Sequence, residues 1–168
     1  MTSSTGITGL GHVGLWVDDL DVMRDFFVEV LGLTVTDEDA ELGMVFLSSC
    51  PETEHHEMVL QAGRRAATDT RLVHQISWRV ESIEQLQAFD RCFAERGIRV
   101  QQRVTHGNAL GIYFFDPEGN RLEVYFATGE EVPQPFRKTI SMDLPPERLL
   151  AESRRLVDTG GERYQPAP

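Results

Sequence analysis

The sequence has little cysteine and an excess of acidic over basic residues. Its 168 residues include two cysteines, Cys50 and Cys92, without the spacing of a metal site. We therefore expect free thiols in a reduced, cytoplasmic protein. Lys and Arg number 16 against 27 Asp and Glu, which gives a formal net charge of -11. This acidity disfavours nucleic-acid partners, and no polybasic patch is present to bind anionic lipid.

Long apolar runs are also missing. No stretch approaches the roughly 18 residues of a membrane span, and residues 1–6 lack the basic and apolar regions of a signal peptide. Hydrophobic residues make up 40% and charged residues 26%, a globular composition. The length suits one ordinary domain, or two small modules that share a core.

The most informative feature is an internal repeat between residues 11–33 and 73–98. Each copy begins with a His followed four residues later by a Trp, as His12 and Trp16, then His74 and Trp78. An alternating, strand-like stretch leads in both copies to a capping residue, an amphipathic helix and a glycine near the helix end. On this pattern, His12 and His74 are predicted to occupy equivalent positions. Both Trp side chains are expected in the core.

Three extended segments follow each helix, so that each copy is predicted to be a βαβββ module. The predicted class is α+β, with two tandem modules that form a cupped mixed β-sheet around a metal site. Module one covers residues 7–62 and module two residues 73–126, joined by a polar linker at 62–72. A C-terminal extension, 127–168, contains the irregular segment 132–136 and a short helix at 147–157. The predicted strands are 33–36, 43–48, 57–61, 99–104, 111–115 and 121–126.

The duplication suggests a metal site. In such a pair of modules the two first strands face each other across a cavity, and Glu123 on a last strand could join His12 and His74. Two imidazoles and one carboxylate with open positions are the usual ligands of non-haem Fe(II) that activates O2. A single His at a strand start is more often structural, but repetition at the same position favours ligation.

Two motifs resemble a known family. Residues 104–123 read VTHGNALGIYFFDPEGNRLE, which is similar to the signature of extradiol dioxygenases, with matches at His106, Ile112, Tyr113, Asp116, Pro117, Gly119 and Glu123. Extradiol enzymes also carry a His just before the last strand of the first module, where His56 fits best and His55 second best. The chain therefore resembles the vicinal oxygen chelate superfamily, and within it the small one-domain type I extradiol dioxygenases.

This resemblance implies a specific activity and site. Fe(II), or Mn(II), which the same ligands also suit, would be held by His12, His74 and Glu123, and a catechol-type aromatic diol would be cleaved with O2. His56 would be the acid–base group, while His106 and Tyr113 would hydrogen-bond the substrate oxygens. A homodimer is also implied. One departure is that many extradiol enzymes have four modules, whereas this chain has two.

Two other functions stay open at this point. If Glu57 aligns with Glu123, a His, Glu, His, Glu quartet would indicate a metal-dependent isomerase or epimerase related to glyoxalase. A bleomycin-resistance type of protein would instead bind a small molecule without metal.

Overall fold

A computed structural model describes residues 10–65 and 73–160. The chain divides into two compact units, residues 1–67 and residues 68–168. Each unit contains a sheet of mixed strands with a helix after its first strand, so the predicted α+β class and the βαβββ order are confirmed. Most of the predicted linker lies outside the described residues. Within the described part of the chain, no helix has the length and apolar character needed to cross a membrane.

Unit one has a four-stranded sheet in the order β1-β4-β3-β2. Its elements are β1 (Val13–Val17), α1 (Leu20–Glu29), β2 (Thr34–Asp39), β3 (Met44–Ser48) and β4 (Met58–Ala62). The first strand runs parallel to β4, and the other pairs are antiparallel. Helix α1 begins after Asp19, whose side chain accepts a hydrogen bond from the Val22 amide at 3.0 Å.

The core of unit one lies between α1 and one face of this sheet. Met23, Phe26 and Phe27 of the helix are buried. Strand side chains of one alternation are buried with them, namely Leu15, Val17, Val45, Leu47, Met58 and Leu60. We call the opposite side the helix-free face of unit one; it carries Gly14, Trp16, Phe46 and Val59.

Unit two repeats this plan and adds one short strand to the sheet. Its order is β5-β8-β7-β6-β9. The elements are β5 (Ile76–Val80), α2 (Ile83–Arg96), β6 (Val100–Thr105), β7 (Ala109–Phe115), β8 (Arg121–Ala127), β9 (Lys138–Thr139) and α3 (Pro146–Asp158). Helix α2 begins after Ser82, which caps the Gln85 amide at 3.2 Å. It ends at Gly97 with φ of 66°, a left-handed position that glycine adopts without strain.

The core of unit two lies on the α2 side of its sheet, where Phe93 and Phe114 stack with ring centroids 4.3 Å apart. The helix-free face of unit two carries the other alternation, which includes Ser77, Tyr113 and Glu123. These three residues are neighbours across β5, β8 and β7. The two faces therefore separate a packing surface from a surface rich in polar groups.

The C-terminal segment packs against the rest of unit two. Phe136, Ile140, Met142 and Leu149 are buried. Gln87 of α2 donates to the carbonyls of Met142 at 2.7 Å and Leu144 at 2.6 Å. The predicted helix of the extension is confirmed as α3, and the segment 132–136 has no regular structure, as expected. The pairing of β9 with β6 was not predicted.

The expectation that both Trp residues are core is wrong for Trp16. Its side chain is 63% exposed on the helix-free face of unit one, whereas Trp78 is half-buried on the helix side of unit two. Side chains alternate along a strand, so residues on opposite faces cannot be equivalent in the repeat. The repeated His and Trp residues are therefore offset by one residue between the strands of the two units.

Candidate active site

In unit one, the structure brings together His12 and His56. Their ring centroids are 4.4 Å apart. His12 directly precedes β1, and His56 lies in the loop that leads into β4, which pairs with β1. The ring of Phe46 packs edge-on against His56 at 5.1 Å. Two predicted site residues, a ligand and an acid–base group, are thus neighbours on one side of unit one.

His55 is the third imidazole of this group. Its Nδ1 lies 2.8 Å from Nδ1 of His56, so one of the two atoms donates the proton of a hydrogen bond. Its Nε2 lies 3.9 Å from the Asp37 carboxylate. Desolvation lowers the pKa of His56 below its ordinary value, and positive charge on His12 or His55 lowers it further. His56 is consequently surrounded by groups that favour its neutral form.

In unit two, Glu123 is the centre of a buried polar group. Its side chain is 6% exposed. The carboxylate accepts hydrogen bonds from Ser77 Oγ at 2.6 Å and from Gln75 Nε2 at 3.2 Å, and Tyr113 is its neighbour on β7. Both donors are neutral, so they solvate the carboxylate without cancelling its charge. A buried carboxylate with neutral partners suits a divalent cation, because burying an unpaired charge is costly.

His106 and Tyr113 are joined directly, at 3.1 Å between Nε2 and the phenol oxygen. His106 Nδ1 lies 2.8 Å from the carbonyl oxygen of Phe136. A carbonyl only accepts, so Nδ1 must carry the proton and donate it. Nε2 of the neutral imidazole is then an acceptor, to which Tyr113 can donate. The segment after β8 therefore determines which nitrogen of His106 faces the polar group.

Tyr113 has a single proton and three polar neighbours. Burial, then the charge of Glu123 and the hydrogen bond to it, raises the pKa of Tyr113 above its ordinary value. The Arg121 guanidinium lies 4.0 Å above the Tyr113 ring, and it acts in the opposite direction. Tyr113 is therefore held as a neutral hydroxyl that can donate to Glu123 or to His106.

The interpretation of His12 and His74 as equivalent positions is wrong. The last residues of the first strands, Val17 and Val80, precede the helix caps Asp19 and Ser82 by the same two residues. His12 lies five residues before Val17, and the residue five before Val80 is Gln75. The faces agree, since Trp16 and Arg79 are both exposed on the helix-free side. A slip of one residue in a strand turns a side chain to the other face.

The alignment of Glu57 with Glu123 is also wrong. Gly14 pairs with Val59 across β1 and β4, and Ser77 of the equivalent position pairs with Glu123. The unit-one counterpart of Glu123 is therefore Val59, which cannot ligate a metal. The Glu57 carboxylate accepts instead from the amide of Ser49 at 2.7 Å and from its hydroxyl at 2.5 Å. This pairing removes the basis on which a His, Glu, His, Glu quartet was considered.

His74 is placed outside the polar group of unit two. It is exposed, two residues before β5, and no hydrogen bond or ion pair in the described ranges holds its side chain. Among residues 10–65 and 73–160, no group of three or more His, Cys, Asp or Glu side chains could hold a metal ion. The predicted ligand set of His12, His74 and Glu123 therefore remains a prediction.

Sequence reasoning missed the polar partners of Glu123. Gln75 and Ser77 contact its carboxylate, and Arg121 donates to the Gln75 amide oxygen and to Gln101 Oε1 at 2.8 Å. A usable signal existed, because aligning the two helix caps places Gln75 at the position of His12. Gln is an uncommon metal ligand, so the adjacent His74 was predicted instead.

The fold and these groups define a duplicated module with one imidazole group and one carboxylate group. Residues 9–124 match the Glyoxalase/Bleomycin resistance protein/Dioxygenase superfamily, and the chain belongs to this family. A solved glyoxylase/bleomycin resistance protein/dioxygenase domain from Frankia sp. EAN1pec shares the fold, with a TM-score of 0.60 and 21% identity. The match covers 73% of this chain and 99% of the Frankia domain.

Curated relatives are dioxygenases of aromatic diols. A manganese-dependent 2,3-dihydroxybiphenyl 1,2-dioxygenase of Geobacillus genomosp. 3 is 28% identical over 71% of this chain and 37% of its own length. A biphenyl-2,3-diol 1,2-dioxygenase of Sphingomonas paucimobilis is 27% identical over 77% of this chain and 42% of its own length. The chain thus spans less than half the length of these two relatives.

Proposed function

We propose that this chain is a metal-dependent dioxygenase that cleaves the ring of a catechol-type aromatic diol with O2. The observation that carries the proposal is the polar set of unit two in which His106 Nε2 lies 3.1 Å from the Tyr113 hydroxyl and Tyr113 is the strand neighbour of the buried Glu123. The curated relatives support the reaction class, since they act on aromatic diols. The substrate class is taken from that likeness together with the His106 to Glu123 motif.

The metal is proposed to be Fe(II) or Mn(II). Its proposed ligands are the three residues predicted from the sequence, His12, His74 and Glu123. When bound, such a metal supplies a common centre at which diol and O2 meet, which lowers the entropic barrier and lets charge pass between them. The buried Glu123 carboxylate supplies the charge that such a cation needs.

His106 and Tyr113 are proposed to bind and orient the diol. The Phe136 carbonyl fixes the proton of His106 on Nδ1, which leaves Nε2 without a proton. Nε2 can then accept a proton from a diol hydroxyl in place of its hydrogen bond from Tyr113. Tyr113 keeps its proton and can donate to a diol oxygen. One side chain then accepts and the other donates, which suits a diol that loses a single proton on binding.

His56 is proposed as the acid–base group that acts on the bound O2. Its ring lies between His12 and Phe46, and its Nδ1 is engaged by His55 at 2.8 Å. With Nδ1 engaged, Nε2 is the atom that can hold or release a proton. This assignment makes His55 a residue that positions His56.

The test is reconstitution with Fe(II) or Mn(II) without air, followed by 2,3-dihydroxybiphenyl, catechol and substituted catechols in air. We expect one O2 consumed per diol and a yellow ring-opened product. His56→Ala should keep its metal and lose most turnover, while the matched variant His55→Ala should lose less. Metal-loaded protein that binds the diols without O2 uptake would contradict the proposal and favour a binding protein. Isomerase activity with Ni(II) or Zn(II) would favour the glyoxalase type.

A further inference from the structure

Besides Ser77 of β5, the residue that contacts the Glu123 carboxylate from just before this strand is Gln75. Its Nε2 lies 3.2 Å from Oε2 of Glu123 and 3.0 Å from Oγ of Ser77. Gln75 precedes Ser77 by two residues, so both side chains project to the same face of the strand. His74 is three residues before Ser77, so its side chain projects to the opposite face, and it is exposed. The geometry of the strand therefore brings position 75, and not position 74, to the carboxylate.

The repeat gives an independent argument for the same position. When the strand ends Val17 and Val80 and the caps Asp19 and Ser82 are aligned, Gln75 takes the position of His12 in the repeat. His12 is itself next to His56 in unit one. If His12 is a ligand from the start of β1, the corresponding ligand from the start of β5 is Gln75.

An amide side chain can serve as this ligand. Its carbonyl oxygen is a hard donor, and its nitrogen donates hydrogen bonds. Without a cation the favourable orientation places Nε2 against the carboxylate, as is found here, while Oε1 accepts from Arg121. A half-turn of the amide would exchange oxygen and nitrogen, so that Gln75 and Glu123 both present oxygen to a cation. Arg121 would keep its hydrogen bond to Gln101 and its position over the Tyr113 ring.

We propose that Gln75, and not His74, is the metal ligand contributed by the first strand of unit two. This inference rests on the metal-dependent function proposed above and replaces His74 by Gln75, which contacts Glu123 within unit two. Replacing an imidazole by an amide oxygen makes the ligand set harder. Carboxylate and carbonyl ligands suit Mn(II), whereas imidazole suits Zn(II) and Ni(II). The chain should therefore favour Mn(II) over Zn(II) more strongly than a variant with His at position 75.

The proposal is tested by metal titration of the purified full chain, with Mn(II) and Zn(II) followed by calorimetry and Mn(II) also by electron paramagnetic resonance. His74→Ala should bind Mn(II) as the unmodified chain does. Gln75→Ala should weaken Mn(II) binding by about tenfold or more, and Gln75→His should restore binding with a preference shifted toward Zn(II). Circular dichroism checks that each variant is folded; His74 is exposed, so its variant is a safe matched control.

Loss of Mn(II) binding in His74→Ala, or unchanged binding in folded Gln75→Ala, would overturn the assignment. Absence of Mn(II) binding by the unmodified chain would overturn it as well. Oxygen uptake with catechols is measured separately on the same samples. Metal lost through Gln75→Ala in a chain that cleaves no diol would uphold the ligand assignment and reject the dioxygenase function. Diol cleavage that is lost in His74→Ala would uphold the dioxygenase function and reject Gln75 as the ligand.

Discussion

Gly111 lies directly against the carboxylate of Glu123: a Cβ built at position 111 would be 2.6 Å from Oε1 of Glu123. Gly111 has an ordinary backbone conformation, because its φ is not among the positive values of the glycines. The glycine is therefore explained by space for the carboxylate and not by the backbone. Any side chain here would push the end of Glu123 away.

Gly111→Ala is expected to weaken Mn(II) binding by about tenfold and to leave the melting temperature little changed. The clash falls on the end of a flexible side chain, which can move without unpacking the core. Calorimetric titration and thermal melting measure the two effects. Gly14→Ala on unit one is the control, since its Cβ would meet the nearest atom at 3.9 Å. Equal metal binding by Gly111→Ala and the unmodified chain would place the metal away from Glu123.

Tyr113→Phe is expected to retain metal and to lower turnover by about a hundredfold. The ring and its contact with Arg121 remain, while the donor to Glu123 or His106 is lost. The kinetic constants and the metal content should be measured on one preparation. Tyr125→Phe is the matched variant, because Tyr125 shares this face and its hydroxyl accepts a long hydrogen bond of 3.4 Å from Arg79. Similar losses in both variants would argue against a specific role for Tyr113.

Glu57→Gln is expected to leave metal binding unchanged. The carboxylate of Glu57 is engaged by Ser49, and the position opposite Glu123 in the repeat is occupied by Val59. A slightly lower melting temperature is expected because the amide is a weaker acceptor. Metal content by atomic emission checks the result, with Glu123→Gln as the variant that should lose metal. Loss of metal in Glu57→Gln would indicate that Glu57 is a ligand, as in the His, Glu, His, Glu quartet of the isomerase type.

The order of the elements could be predicted because local signals specify it. Asp19 and Ser82 cap the helices, glycine ends α2, and the strand segments alternate between apolar and polar residues. The helix at Pro146–Asp158 likewise follows from prolines in its first turn. The two-residue strand β9 could not be predicted, because its pairing with β6 depends on how a long irregular segment returns to the sheet.

The site was predicted less completely than the fold. The sequence motif predicted His106, Tyr113 and Glu123. In the structure His106 and Tyr113 are hydrogen-bonded, and Tyr113 is the strand neighbour of Glu123. The first strand of module two was assigned in the wrong register, because matching His and Trp letters were given more weight than the distance to the helix cap. Successive side chains of a strand point to opposite faces of the sheet. Two histidines whose positions in the repeat differ by one residue therefore lie on opposite faces.

Asp116 links the pH dependence of stability to the turn before β8. Its side chain is 5% exposed, and it accepts from the amides of Glu118 at 3.0 Å and Asn120 at 2.8 Å and from the Asn120 side chain at 2.7 Å. Burial raises the pKa of Asp116 above its ordinary value, and these hydrogen bonds only partly oppose the shift. The folded chain therefore holds this proton more tightly than the unfolded chain does.

The sign of the effect follows from this difference in proton binding. Where the folded state binds more protons, the free energy of unfolding falls as pH rises. The contribution of Asp116 should be complete below the ordinary aspartate pKa of about 3.9 and should decline as pH passes through the higher folded-state pKa. Asp116→Asn cannot titrate, so the difference in free energy of unfolding, unmodified chain minus variant, should decrease across this window. Urea unfolding at several pH values measures it. An increase instead would mean that the hydrogen bonds outweigh burial and stabilise the ionised carboxylate in the fold.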